Sequence, residues 1–93
     1  MELHFDDRTL AHLHLVIGAK LRRHESFMFN WVNADEHGDG RSSIWLDSGV
    51  PLYFKFASNA NQTINREWLE ALTRTSNSAQ GLTLVPEPSP AAH

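Results

Sequence analysis

Residues 11–32, AHLHLVIGAKLRRHESFMFNWV, contain the change of hydrophobic period that decides the fold of this chain. Up to Arg23 the aliphatic residues recur every three or four positions, which is the spacing of an amphipathic helix. From Ser26 onward large apolar residues alternate with their neighbours at a period of two, which is typical of a β-strand. The stretch therefore predicts a helix that is followed directly by a strand with one strongly aromatic face.

The helix is expected to run from about Arg8 to Arg23, because Asp6 or Asp7 can cap it by accepting from free amides of the first turn. At roughly 100° per residue, its core-facing stripe contains four aliphatic side chains. These are Leu10, Leu13, Ile17 and Leu21. The cations of the last turn, Arg22 and Arg23 among them, complement the negative end of the helix dipole.

Two pairs of residues in this helix lie off the core-facing stripe or at its edge. His12 and His14 are two positions apart and point about 160° away from each other, so they are not expected to bind one metal ion together. Leu15 and Val16 are apolar but lie off the stripe, which predicts contact with a second surface, either another element or another chain.

The remaining elements follow from the same two periods and from turn-forming residues. Asn65 is expected to cap a second helix, which Gly81 ends because glycine enters the left-handed region without penalty. Strands are expected at ELHF (2–5), SFMFNWV (26–32), SIWLD (43–47), PLYFKFA (51–57) and LTLV (82–85).

The element order is therefore β-α-β-β-β-α-β, which predicts an α+β fold in which two helices cover one face of a mostly antiparallel sheet. Residues 1–86 are expected to form a single domain. Residues 87–93, EPSPAAH, are expected to form a disordered Pro-rich tail. The expected core contains the following residues: Phe27, Phe29, Trp31, Leu52, Phe54 and Phe56 from the strands, and Leu10, Leu13, Ile17, Leu21, Trp68, Leu69 and Leu72 from the helices.

Composition excludes several classes of function. The 93 residues carry a net charge of −3 with neutral histidines, so no overall positive field attracts polyanions. The absence of cysteine excludes disulfides, thiolate metal sites and thiol nucleophiles. Because the sequence shows neither a signal-peptide pattern nor an apolar run of about 18 residues, we expect a cytoplasmic location and no membrane partner.

No motif in the sequence points to an enzyme. A P-loop, a nucleophile elbow and a dinucleotide fingerprint are all missing, and we expect no catalytic residue, no metal site and no cofactor. One alternative stays open at the loop containing Asp35, Glu36, His37 and Asp39, since oxygen-rich loops can hold a divalent ion. Its spacing does not match an EF-hand, and turn-forming residues are expected in any connection between strands.

The sheet face away from the helices is the main candidate for a function. If the aromatic face points inward, then Met28, Tyr53 and Lys55 point outward, and Trp45 joins them when its neighbours point inward. We expect a non-enzymatic module that self-associates as a homodimer or binds another protein. The alternative is binding of single-stranded nucleic acid, with aromatic rings stacking on bases and cations contacting phosphates. The candidate surface contains Trp45, Tyr53, Lys55, Met28, Leu15, Val16, Arg22, Arg23 and Arg41.

Three stretches carry a resemblance to a known family: FDDRTLAHLHLVIGAKLRRHESFMFNW, GDGRSSIWL and INREWLEALTRTSNSAQGLTLVPEP. From Phe5 to Pro88 the chain resembles a family of small actinobacterial proteins of unknown function, some of which are labelled ATP-dependent DNA ligase. A ligase needs a lysine nucleophile in a Lys-Xaa-Asp-Gly setting, whereas the two lysines here stand in KLRR and KFAS. The resemblance implies a cytoplasmic domain and adds no mechanism.

Overall fold

In the described residues, the helices and strands follow the order expected from the sequence, except that the strand expected at residues 51–57 does not form. A computed structural model describes residues 5–32 and 40–88. The elements in these ranges are α1 (Asp7–Arg22), β1 (Phe27–Val32), β2 (Arg41–Leu46), α2 (Arg66–Ser76) and β3 (Leu82–Thr83). The strand expected at 2–5 falls mostly outside the described residues, and Phe5 itself has no strand structure.

Both helices begin directly after a residue whose side chain was expected to cap them. The Asp6 carboxylate accepts from the backbone N–H of Thr9 at 3.2 Å, and α1 starts at the next residue. Asn65 Oδ1 accepts from the N–H of Trp68 at 3.3 Å and caps α2 in the same way. The two N-caps are therefore confirmed. The end of α2 is not at Gly81, because the helix stops at Ser76 and a turn separates it from the glycine.

Within the described residues the sheet has three strands in the order β2-β1-β3, with β1 in the middle. β1 pairs with β2 in antiparallel register over six residues, from Phe27 opposite Leu46 to Val32 opposite Arg41. β3 is parallel to β1 and contributes only two pairs. The sheet is therefore mixed, and with two helices the domain is α+β, as the sequence predicts.

The prediction of a strand at residues 51–57 is wrong. This segment pairs with no strand, and its side chains and backbone contact α1 instead. The ring of Phe54 packs edge-on against His14 with 5.0 Å between centroids. Further along, the Asp7 carboxylate accepts from the backbone N–H groups of Ala57 at 2.7 Å and Ser58 at 3.0 Å. These contacts place the segment beside the helix rather than at the edge of the sheet.

Both helices pack on the same face of the sheet, because residues from each join the inward residues of β1 in one cluster. The buried cluster contains Leu13, Val16, Ile17, Phe27, Phe29, Leu46, Trp68, Leu72 and Leu82. Leu52 and Phe56 were expected in the core and are exposed, since their segment is not part of the sheet. Trp31, Phe54 and Leu69 are only half-buried and pack against the cluster from outside.

Candidate interaction surface

The antiparallel register places three residue pairs on the face of the sheet that the helices leave uncovered. Because successive side chains of a strand point to opposite faces, the inward Phe27 and Phe29 leave their neighbours pointing outward. The outward pairs are Met28 with Trp45, Asn30 with Ser43, and Val32 with Arg41. We call these six residues the outer face. They include the expected Met28, Trp45 and Arg41.

The two ends of the outer face carry exposed apolar surface. Trp45 is 56% exposed and Val32 is 59% exposed, which is unusual for large apolar side chains on regular strands. Met28, opposite Trp45, is half-buried. Arg41 is exposed and lies on the same side of β2 as Trp45, with Ser43 between them. The outer face therefore combines an indole ring and a guanidinium on one strand.

The centre of the outer face is polar and held in place by hydrogen bonds. Asn30 Nδ2 donates to the backbone oxygen of Gln80 at 2.9 Å, and Asn30 Oδ1 accepts from the Ser43 hydroxyl at 2.6 Å. The carboxamide thus links β2, through β1, to the segment before β3. Because both ends of this amide have partners, its orientation is set before any ligand arrives.

A glycine allows the chain before β3 to approach the outer face closely. Gly81 has a φ of +90°, and a Cβ built there would lie 2.3 Å from the backbone oxygen of Met28. Any side chain would therefore push β3 away from β1. The sequence pattern assigned this glycine to the end of α2, whereas its role is to bring two strands together.

The structure separates Tyr53 and Lys55 from the outer face. Both belong to the segment that runs along α1, and Tyr53 is 87% exposed there. They were expected to point outward from the same sheet as Trp45, which requires a third strand that does not form. The prediction that Trp45 and Tyr53 lie on the same sheet is therefore wrong.

The four candidate residues on α1 and at its C-terminal end differ in their exposure to solvent. Val16 is buried in the core cluster, which agrees with the expected contact with another element and removes Val16 from the candidate interaction surface. Leu15 is 44% exposed, in agreement with its position off the stripe. Arg22 and Arg23 are exposed at the end of α1, and Arg23 forms an ion pair with Glu25 at 3.2 Å. Because α1 covers the inner face of the sheet, these residues do not extend the outer face.

A buried histidine network is the main feature that the sequence pattern missed. His12 is fully buried, with Nδ1 2.8 Å from the backbone oxygen of Arg8 and Nε2 accepting from the backbone N–H of Asn65 at 2.8 Å. Its ring also lies against Trp68 with 4.5 Å between centroids. The helical period places His12 away from the core stripe, and only the position of α2 explains its burial.

Arg8 and Asn65, which lie beside His12, also bind Glu87 and Pro88 at the C-terminal end of the described residues. Arg8 Nε donates to Glu87 Oε1 at 2.8 Å, and Asn65 Nδ2 donates to Glu87 Oε2 at 2.9 Å. Those two hydrogen bonds lower the pKa of Glu87 to about 2. Asn65 Nδ2 also donates to the oxygen of Pro88 at 3.2 Å. Glu87 and Pro88, assigned by sequence to the tail, are thus attached to the domain, while 89–93 lie outside the described residues.

A groove of about 410 Å³ opens beside these residues. It is lined by the Arg8–Glu87 pair and by apolar side chains that include Val32, Trp68 and Val85. The Arg8 guanidinium and the Glu87 carboxylate in its lining are paired with each other.

The described residues show neither a cluster of metal ligands nor a membrane-spanning helix. Within residues 5–32 and 40–88, no group of three or more His, Asp or Glu side chains is arranged to hold a metal ion. No helix in these ranges is long and apolar enough to cross a membrane. The acidic loop from Asp35 to Asp39 lies outside the described residues.

The fold and the outer face define a small α+β domain with an exposed aromatic sheet surface. A family model described as a domain of unknown function, DUF7882, matches residues 1–87. The chain therefore belongs to the DUF7882 family, which agrees with the uncharacterised family expected from its motifs. No curated protein matches the chain, and no solved structure matches it.

Proposed function

We propose that this domain is a non-enzymatic interaction module that binds a second copy of itself through the outer face. The observation that carries the proposal is Trp45, a tryptophan that is 56% exposed at one end of the outer face although it belongs to a regular strand. Tryptophan and arginine are the residues most enriched among those that dominate binding energy at protein interfaces. Trp45 and Arg41 occupy the same strand and the same face.

The rigidity of the outer face supports the same proposal. Its central amide, Asn30, is held by partners on both sides, at the Ser43 hydroxyl and the Gln80 oxygen. Strand residues that are fixed before binding lose little conformational entropy when a partner docks. A polar centre flanked by apolar Trp45 and Val32 therefore presents a surface that needs no rearrangement to bind.

Single-stranded nucleic acid is the second candidate, and the pair of Arg41 and Trp45 is the observation that favours it. A base stacked on an indole beside a cation is a common arrangement in such proteins. The net charge of −3 opposes it, and Tyr53 and Lys55 lie on another surface. We rank it second for these two reasons. The cytoplasmic location and the actinobacterial origin expected from the sequence stay predictions.

The test is the molar mass in solution, measured by light scattering over a concentration series with and without a mixed-sequence single-stranded oligonucleotide. We expect a dimer at high concentration that does not gain the mass of the oligonucleotide. A protein that stays monomeric throughout and gains no mass would overturn both candidates. A monomer that gains the mass of the oligonucleotide would establish the second candidate instead.

Tyr53→Ala is a matched control for Trp45→Ala, because both substitutions remove an exposed aromatic ring and only one of the rings lies on the outer face. We expect Trp45→Ala to weaken dimerisation at least about tenfold, the effect of losing a dominant interface side chain. Tyr53→Ala should leave the dimerisation constant within about twofold of the original value, since a residue outside the interface contributes little to its energy. Equal effects of the two substitutions would contradict the assignment of the outer face.

A further inference from the structure

We infer that two copies of this domain join by antiparallel pairing of their β2 strands, with a twofold axis that passes beside Ser43. The inference rests on the self-association proposed above and specifies its geometry. The partner is a second copy of this chain, and the contact is the edge of the sheet that β2 forms in the described residues, together with the side chains that β2 presents on the outer face.

The first observation is the position of β2 at the edge of the sheet. In the part of the chain that the structure describes, β2 has β1 as its only strand neighbour. An edge strand presents unpaired backbone groups that act as a template for another strand. The strand spans six residues, Arg41–Leu46, and contains neither proline nor an inward-pointing charge, the features that commonly block such pairing.

The second observation is the symmetry that this edge allows. An antiparallel pair of identical strands is related by a twofold axis perpendicular to the sheet, so both copies keep their helices on one side. Residues that face each other across antiparallel strands point to the same face. The outer faces of the two copies then form one continuous surface, and outward residues of one β2 meet outward residues of the other.

The third observation is that the two ends of β2 are chemically complementary. With Ser43 facing the partner's Ser43, Arg41 faces the partner's Trp45, and Asp47 of the partner follows two residues further. Facing Cβ atoms lie about 4.5–5.5 Å apart in such a pair, which places the guanidinium within reach of the indole face. The twofold axis repeats this contact, so each interface contains two cation–π pairs.

The neighbouring register, centred on Ile44, would instead place Arg41 directly across from Asp47. Asp47 Oδ1 already accepts from the backbone N–H of Gly49 at 2.9 Å and from the Ser26 hydroxyl at 3.4 Å. Its carboxylate is therefore committed in part to the turn after β2. Trp45 is 56% exposed and free to receive a guanidinium, which favours the register centred on Ser43.

Disulfide cross-linking tests the register directly, because the chain contains no cysteine of its own. Ser43→Cys places one thiol beside the twofold axis, and Asn59→Cys places one at an exposed position in the loop that follows residues 51–57. Under mild oxidation we expect Ser43→Cys to form a covalent dimer at least about tenfold faster, because the two thiols are held at a high effective concentration. Equal rates for the two variants would overturn the inference.

Charge reversal tests the cation contact independently of any cysteine. Arg41→Glu and Arg66→Glu change the net charge equally, and both arginines are exposed, but Arg66 lies at the start of α2. We expect Arg41→Glu to weaken dimerisation about tenfold or more, because the substitution removes both cation–π pairs and the new carboxylate repels the partner's Asp47. Arg66→Glu should leave dimerisation within about twofold, since its charge lies outside the paired strands. Similar effects of the two variants would overturn the inference.

The light-scattering series separates this inference from the proposed function. If the unmodified domain dimerises and Ser43→Cys cross-links no faster than Asn59→Cys, self-association stands and the β2 pairing is wrong. If the unmodified domain is monomeric at every concentration, the proposed function and this inference fail together.

Discussion

His12 and Asn65 are joined by a 2.8 Å hydrogen bond in which the backbone N–H of Asn65 donates to the imidazole Nε2 of His12. Because Nε2 accepts, Nδ1 of the neutral ring carries the proton and donates to the backbone oxygen of Arg8. Asn65 is also the N-cap of α2. One buried ring therefore connects the first turn of α1 to the start of α2.

Replacing His12 with alanine should destabilise the domain by about 2–4 kcal/mol, because it leaves the Asn65 N–H without its acceptor and a cavity beside Trp68. The change in the free energy of unfolding, measured by urea denaturation, checks this value. His14→Ala is the control, since His14 is exposed and should cost about 1 kcal/mol or less. Equal losses for the two histidines would show that the His12 hydrogen bonds contribute nothing.

Glu87→Gln should produce a pH-dependent loss of stability. The pKa of Glu87 is lowered from 4.5 to about 2, mainly by the hydrogen bond from Arg8 and then by that from Asn65. A carboxylate with a depressed pKa in the folded state stabilises the fold above its unfolded pKa, and this contribution is lost as the pH falls through the folded value. The difference in unfolding free energy between the original domain and Glu87→Gln should be largest above about pH 5 and shrink towards pH 2.

An Arg8→Met background is the control for the Glu87 measurement. Removing the guanidinium takes away the largest cause of the lowered pKa, so the pH dependence of the Glu87→Gln difference should become weaker. An unchanged pH profile in that background would mean that Arg8 does not stabilise the Glu87 carboxylate.

Gly81→Ala should destabilise the domain by more than about 2 kcal/mol, because the left-handed backbone costs about 1–2 kcal/mol for alanine and the new methyl meets the Met28 oxygen. The Cβ would lie 2.3 Å from that oxygen. Gly18→Ala is the opposite control, because Gly18 lies inside α1 and its added Cβ would meet no atom within 4 Å apart from its chain neighbours and the backbone of its own helix. Thermal unfolding should show Gly18→Ala more stable by about 0.5–1 kcal/mol.

Truncation of the two tryptophans Trp68 and Trp45 should change the stability of the domain by very different amounts. Trp68 is buried in the core and its indole N–H donates to the backbone oxygen of Val85 at 2.9 Å, so Trp68→Ala should cost about 3–5 kcal/mol of stability. Trp45 is exposed, so Trp45→Ala should change the stability of the monomer by less than about 1 kcal/mol. Denaturation at concentrations below dimerisation measures both values. A large loss for Trp45→Ala would show that its ring supports the fold rather than an interface.

Features that depend on neighbours along the chain were predictable from the sequence. Asp6 and Asn65 cap their helices through bonds that span two or three residues, and the alternation in β1 buries Phe27 and Phe29 as expected. The outward position of Trp45 also followed from alternation along its strand. In each case the structure is determined by residues within one turn or one strand, which a single sequence displays.

Features that depend on distant partners were decided only by the tertiary structure. Residues 51–57 have the alternation of a strand, but alternation makes a strand only when another strand is beside it, and contacts with His14 and Asp7 hold this segment on α1. His12 is buried because α2 packs over it, although its own helix places it off the core stripe. The sequence by itself determined the caps, the periods and the α+β class, whereas the tertiary contacts decided which apolar faces are covered and left the outer face exposed.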